Sequence, residues 1–194
     1  GTQTAALAFS GRVPPSASNS NATEEYDGTS WTAGGNMNTA RRNITSGSGF
    51  GTQTAGLAVN GLTTAKSSAV EEYDGTSWSE VNSTNTSRYA AALSGIQTNA
   101  IYFGGQTNPP SSSSTATEDY DGTTFTTSSA TLGTGREALS GSGSASAALA
   151  TGGYIAPAVK ANTEEYNSST TTFTAGAWAS GGNMPAVKQS PGGF

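Results

Sequence analysis

Eleven of the thirteen acidic residues in this 194-residue sequence stand in four near-copies of one string. Glu24-Glu25-Tyr26-Asp27-Gly28-Thr29-Ser30-Trp31 returns as Glu71-Glu72-Tyr73-Asp74-Gly75-Thr76-Ser77-Trp78. It returns again as Glu118-Asp119-Tyr120-Asp121-Gly122-Thr123-Thr124-Phe125 and opens a fourth time at Glu164-Glu165-Tyr166-Asn167. Neighbouring carboxylates could work as an acid/base pair or hold a cation. Catalysis rarely needs one site four times in an array, so the repetition assigns these acids a structural task. The cations support that reading. Arg41, Arg88, Arg136 and Lys188 each follow an aromatic by ten or eleven residues and make up half of the eight basic residues. Each is expected to pair with a carboxylate of the string, within one unit or across to its neighbour. Partly buried pairs of this kind fix geometry more than they add stability.

The remaining chemistry is bounded by what is missing. The chain has no cysteine and no histidine. It therefore has no disulfide framework or thiolate nucleophile, and lacks the commonest general base and metal ligand. No catalytic residue, metal site or cofactor is expected, and an enzyme is the least favoured class. A net charge of −5 and a pI near 4.6 argue against a nucleic-acid partner. No apolar run approaches the ~20 residues of a membrane-spanning helix, so no membrane insertion is expected. The sequence begins at Gly1 rather than Met, which suggests processing or excision from a longer chain. Asn-x-Ser/Thr strings at Asn21, Asn43, Asn82, Asn85 and Asn167 are weak signals where Ser, Thr and Asn are so common.

The elements that position these residues follow from the repeat. The tyrosines at 26, 73, 120 and 166 lie 47, 47 and 46 residues apart. Only 33% of residues are hydrophobic and 11% charged, below the roughly 45–50% and 25% of ordinary domains, with Gly, Ser and Thr filling the gap. Regularly placed aromatics set against small residues suit thin, closely stacked sheets. One unit reads as four short strands: Tyr89 to Gly95, Ala100 to Phe103, Ala116 to Tyr120 and, after an Asp121-Gly122 turn, Thr123 to Thr127. Gly104-Gly105 ends the second of these. A four-stranded unit repeated near 47 residues matches the blade of a β-propeller. Tyr26, Tyr73, Tyr120 and Tyr166 are expected between blades, as are Trp31, Trp78, Phe125 and Trp178. Sugar stacking is the alternative role for the tryptophans. Trp178 is the partner of Trp31, which makes residues 168 to 177 a lengthened hairpin tip.

The expected architecture is all-β and a single domain over residues 1–194. Its units run approximately 1–42, 43–89, 90–136 and 137–188, with 189–194 completing the first blade. The end, Ser190 to Phe194, joined to the start, Gly1 to Phe9, regenerates the internal run from Ser46 to Val59. The ring is thus expected to close by pairing the terminal strands, which hides two open edges. The inner strands are read as 43–49, 89–95, 138–143 and 189–193, rich in Gly, Ser and Ala so that they can approach closely. A cut from an array with more blades is the other reading.

A Gly doublet ending the second strand, Tyr-Asp ending the third, a Trp opening the fourth, then Met-x-x-x-Arg resembles the kelch repeat. Gly104-Gly105 and Gly152-Gly153 match the doublet, whereas Ser10-Gly11 and Asn60-Gly61 keep one glycine. The Ser/Thr/Gly-rich style is similar to kelch-like proteins predicted from bacteriophages, marine ones in particular, in tail or virion proteins. The resemblance implies a propeller scaffold and often a binding role, with no particular ligand. Galactose-oxidase-like kelch enzymes hold copper with histidine and a Tyr–Cys crosslink, and neither His nor Cys is present here. The Asp-Gly-Thr-Ser-Trp string is one residue shorter than a sialidase Asp-box.

The units differ most between their second and third strands, over 11–21, 61–68, 106–115 and 154–162. These loops should share one face and carry Arg12, Pro14, Pro15, Lys66, Gln106, Asn108, Tyr154 and Lys160. Loops on a rigid frame are the usual place for recognition. The expectation is a non-enzymatic extracellular or virion-surface binding module: an adhesin, on a tail fibre for instance, for a cell-surface glycan or protein receptor. The alternative is a structural module whose partners are neighbouring copies in a fibre or virion assembly.

Overall fold

In a computed structural model, residues 1–15, 18–44, 51–107, 112–168 and 177–184 are described, and their regular elements are all strands. The first unit holds β1 (Ala6–Phe9), β2 (Arg12–Val13), β3 (Ser18–Asn19), β4 (Thr23–Tyr26) and β5 (Trp31–Ala33). The second holds β6 (Gly51–Thr52), β7 (Ala55–Val59), β8 (Val70–Tyr73) and β9 (Trp78–Val81). The third holds β10 (Ala92–Ile96), β11 (Asn99–Phe103), β12 (Thr117–Tyr120) and β13 (Phe125–Thr127). The fourth holds β14 (Ser140–Gly143), β15 (Ala147–Thr151), β16 (Tyr154–Ile155), β17 (Ala158–Val159), β18 (Thr163–Asn167) and β19 (Ala177–Ser180).

Each unit makes one antiparallel sheet with its strands in chain order, with β2–β3 and β16–β17 as small side hairpins. The first sheet has three described strands, β1-β4-β5, and the other three sheets have four. The register repeats. Tyr26 lies opposite Trp31, Tyr73 opposite Trp78, Tyr120 opposite Phe125 and Tyr166 opposite Trp178. The last pairing agrees with Trp178 as partner of Trp31. Residues 189–194, and with them the expected terminal pairing, lie outside the described residues, as do most of 43–49 and Lys188.

Two boundaries differ from the sequence reading. The fourth strand opens at the aromatic, Phe125, and not at Thr123, because Asp121 Oδ1 accepts from the Thr123 and Thr124 amides at 2.8 and 2.7 Å. That cap makes a four-residue loop of the expected short turn, and Asp27 and Asp74 repeat it. The first strand runs later than expected, to Thr52 and Ile96, and turns at Gln53-Thr54 and Gln97-Thr98. Gly/Ser/Ala runs carry no alternation to mark their ends. The close approach expected of these strands is present. A Cβ on Gly141 of β14 would stand 2.5 Å from the Leu93 carbonyl of β10.

The doublet positions share one backbone. Gly104 and Gly152 have φ of 70° and 64°, and Ser10 and Asn60 take 65° and 58° in the same place. Asparagine tolerates this left-handed region better than most side chains. Asn60 also donates to the Tyr102 hydroxyl at 2.9 Å and accepts from Thr84 at 2.8 Å, so its amide offsets the missing glycine.

Successive sheets stack face to face around three apolar clusters. Tyr73, Trp78, Ala58 and Met37 fill the first contact, joined by Leu7 and Phe9. Leu57, Val59, Tyr102, Tyr120 and Phe125 fill the second, and Ile101, Phe103, Leu139, Ala150 and Tyr166 fill the third. Through each contact runs one buried arginine. Arg88 leaves the second unit, bonds Glu118 of the third at 2.7 Å, and donates to the Gly104 and Ala116 carbonyls at 2.9 and 2.7 Å. Arg41 does the same with Glu71, Asn60 and Ala69, and Arg136 with Glu164, Gly152 and Asn162. The pairing therefore crosses between units.

Adjacent acids divide the work, because neighbours on a strand face opposite ways. The first acid takes the arginine of the preceding unit. The second faces forward, where Glu25 accepts from Tyr73 and Glu72 from Tyr120 at 2.7 Å. Glu25 and Glu72 thus hold the next sheet's tyrosine. The other oxygen of the arginine-bound acid is capped by an amide of the incoming chain, Asn38 on Glu71 at 2.6 Å and Asn85 on Glu118 at 2.8 Å.

Arg88→Ala strands a fully desolvated Glu118, so it is expected to cost about 3–5 kcal/mol. Replacing both partners with Met and Leu should recover most of that loss. Urea unfolding of the single and double variants reads both effects, and an Arg88→Ala variant as stable as wild type contradicts the assignment.

Candidate functional site

Antiparallel order puts the loops between second and third strands at one end of every sheet, together with the segments entering each first strand. The side chains that differ between units meet there. Lys66, from the second unit, lies 5.2 Å over the ring of Tyr89 and donates to the Thr107 carbonyl. The Tyr89 hydroxyl donates to Gln106 of the third unit, whose backbone bridges Tyr89. Glu137 enters the fourth unit and is bridged by its backbone to Tyr154, with N···O distances of 2.7 and 3.1 Å. Its Oε2 is buried with no hydrogen-bond partner among the described residues.

The electrostatics of this cluster follow from partial burial. Burial pushes the Glu137 carboxyl above its ordinary value, and the Lys66 charge pulls it partly back. Burial lowers Lys66, opposed by Glu137. Burial also raises the Tyr89 phenol, with the Glu137 charge adding to it. The site thus presents an aromatic face, an ammonium, an amide and a half-desolvated carboxylate. These groups suit a neutral or zwitterionic polar ligand with several hydroxyl or amide groups.

The expected loop-face residues divide into two groups. Lys66 and Gln106 enter the cluster, and Tyr154 frames it through its backbone. Arg12, Pro14 and Pro15 sit exposed on the first unit's β2–β3 hairpin. Lys160 is half-buried at the base of its own loop, where its amide bonds Gly153 at 2.9 Å. Asn108 lies outside the described residues. Tyr89 and Glu137 were not foreseen, nor was Arg42, which donates to Asn19 at 2.7 Å. All three directly follow the repeated arginine. That slot reads Arg42, Tyr89 and Glu137, one chemically variable position inside an otherwise constant frame.

Of the aromatics expected between units, Tyr73, Trp78, Tyr120, Phe125 and Tyr166 are buried. Trp31 departs from them, at 51% exposed against 5% for Trp78. Among the described residues no sheet packs on the face that carries Trp31 and half-buried Tyr26.

A carboxyl raised in the fold binds its proton more tightly in the native than in the unfolded chain. Its ionisation therefore removes stability as pH rises from the unfolded value of 4.5 through the higher folded value. Glu137→Gln is expected to raise the melting temperature at neutral pH and to flatten its decline above ~pH 4.5. Thermal unfolding of both proteins across that range reads the difference, and parallel curves count against the buried-carboxylate reading.

No protein-family profile matches the sequence, and no curated protein aligns with it. In fold it is similar to 150 chains of solved structures. One is described as "Structure of YjhT", with a TM-score of 0.66 and 15% sequence identity. The match covers 81% of this chain and 52% of that one, so the present chain spans about half its length. At this identity the likeness concerns the fold alone, an arrangement of successive antiparallel sheets on which many functions can be placed.

Proposed function

We propose that this chain is a non-enzymatic binding module, a kelch-like β-propeller of four blades that recognises a cell-surface glycan or protein receptor through its loop face. The observation that carries this reading is the division of side chains. Arginines, glutamates and tyrosines repeat from unit to unit, the arginines bonding first-position glutamates and Tyr73 and Tyr120 bonding second-position ones. Lys66, Tyr89, Gln106 and Glu137 do not repeat, and they share one end of the sheets, where a Glu137 carboxylate oxygen is buried with no hydrogen-bond partner among the described residues. Divergence gathered in one place on a constant frame is what recognition requires. The absence of histidine and cysteine from the sequence supports binding without catalysis. An extracellular or virion-surface setting rests on the resemblance to bacteriophage kelch-like proteins. Closure of the propeller pairs its N- and C-terminal strands.

A second reading, a structural module that joins copies into an assembly, is favoured by the open face around Trp31. The two differ in which surface is used.

A glycan array probed with the purified chain is expected to show binding to a defined sugar class. Tyr89→Ala and Lys66→Ala should each weaken that binding at least about tenfold, as the loss of a stacking ring or a charged donor does. Binding retained in both variants moves the site elsewhere. A blank array from folded protein removes the glycan reading.

A further inference from the structure

We infer that the loop end is a seat for an acidic polysaccharide, a sugar chain with carboxylate or sulfate groups spaced along it, which sets one acid group at Arg42 and a neighbouring sugar on Tyr89. The inference rests on the glycan reading of that face and names the class of glycan.

The loops that differ most in sequence stand on one repeated backbone. The residue after each repeated arginine pairs with the residue that follows the closing glycine of the next unit's second strand. Arg42 and Leu62 exchange amide–carbonyl bonds at 3.0 and 2.8 Å, Tyr89 and Gln106 at 3.3 and 2.8 Å, and Glu137 and Tyr154 at 3.1 and 2.7 Å. A third rung follows inside the loop, with Lys66 bridged to Leu62 and Ser113 to Gln106. The first unit keeps its part of the pattern, with Asn19 opposite Arg12. Asn19, Lys66 and Ser113 recur at 47 residues, and the amide after each bonds the closing glycine at 2.7 to 2.9 Å. Directly opposed residues of an antiparallel pair project their side chains to one side. The loop end is therefore a fixed platform on which Arg42, Leu62 and Lys66 point the same way.

The charges on that platform are out of balance. Four of the eight cations, Arg12, Arg42, Lys66 and Lys160, lie in these loops and rungs, against one of the thirteen acids, Glu137. Arg42 stands at the centre of the excess. It donates to Asn19, a neutral acceptor, at 2.7 Å. Asn19 lies opposite Arg12 on one side, and Leu62 is bridged to Lys66 on the other. Among the described residues the ion pairs belong to the buried arginines of the frame, and neither Arg42 nor Lys66 enters one. At the other end of the sheets the sign reverses. Asp27, Asp74 and Asp121 are exposed there, and the turn amides hold their carboxyls below the ordinary value. An acidic chain that collects its spare cations at one end has a local field suited to an anion.

The spacing selects the kind of anion. Arg42 and Lys66 start from backbones two strand spacings apart, ~10 Å. The Lys66 ammonium lies 5.2 Å from the Tyr89 centroid, so a stacking ring stands beside the charge. Lys66 and Glu137 offset each other, so the neutral part of the ligand belongs on Tyr89 and its acid group at Arg42. A nucleic-acid duplex carries one charge every ~1.7 Å, too dense for cations set so far apart. A sugar chain with separated acid groups puts hydroxyls and ring faces between its charges, which suits amides and an aromatic set beside the cations.

The test is titration of the chain with alginate, which carries carboxylates, carrageenan, which carries sulfates, neutral dextran and duplex DNA, each at low and high salt. One acidic polymer is expected to bind at least about tenfold tighter than dextran, less tightly as salt rises, and which one it is identifies the acid group. Arg42→Gln should weaken that binding about threefold or more and reduce its salt dependence, and Arg42→Lys should recover most of the loss. Circular dichroism and melting curves establish that each variant is folded. Dextran bound as tightly as the acidic polymers, or Arg42→Gln without effect on them, overturns the inference and leaves the glycan reading standing. Duplex DNA bound more tightly than either acidic polymer overturns it too. A folded chain that binds no sugar polymer here and no glycan on the array removes both.

Discussion

A guanidinium with no exposure to solvent has surrendered its hydration, and the protein must replace most of the bonds it lost. Arg41, Arg88 and Arg136 are each in this position, and the replacement determines how the sheets meet. One nitrogen staples the end of a second strand to the start of a third through two carbonyls. Another reaches the first acid of the next string. The acid is then capped by an amide of the same incoming segment. Such a knot pairs both terminal guanidinium nitrogens in one arrangement, with the Nε of Arg41 and of Arg88 left unbonded among the described residues, and so sets the spacing and rotation of neighbouring sheets. Charge burial adds little net stability. Its use here is registration, in a chain too poor in large apolar residues to achieve registration by packing alone.

Strand alternation turns the same string into a two-way connector. The first acid points back to an arginine, its neighbour points forward to a tyrosine, and the tyrosine points back in turn. Burial raises the Tyr120 phenol strongly, with Glu72 beside it adding to the effect, so the hydroxyl keeps its proton and acts as a donor. The arginine–acid bond recurs at all three described contacts and the tyrosine–acid bond at the first two, which is how an array with nearest-neighbour contacts propagates. The frame and the loop face are separate systems, and the loops can change chemistry without disturbing the connectors.

Much of this is legible in the amino-acid sequence. The 47-residue recurrence marks the unit, and the Tyr and Trp positions mark a pair that the register places side by side. The basic slot points to a carboxylate partner. Which acid it takes is not legible, since period two says only that neighbours face apart. The first strands end late because Gly/Ser/Ala runs show no alternation, and the fourth begins late because an aspartate side chain caps its loop. In the candidate site, Lys66 and Gln106 can be read from loop divergence. Tyr89 and Glu137 are hidden beside a repeated arginine, where a variable slot resembles part of the frame. Arg12 and its prolines show the same divergence, and divergence alone does not say which loops converge.

A double-mutant cycle on Arg41 and Glu71 tests the account at its centre. Stabilities of Arg41→Ala, Glu71→Ala and the pair, measured by denaturant unfolding, give the coupling between two side chains 30 residues apart in sequence and 2.7 Å apart in space. The account requires a coupling above about 1 kcal/mol, with the double variant far less damaged than the sum of its parts. Additive losses, with coupling near zero, would show that the sheets are registered by packing and that the buried ion pairs are passengers.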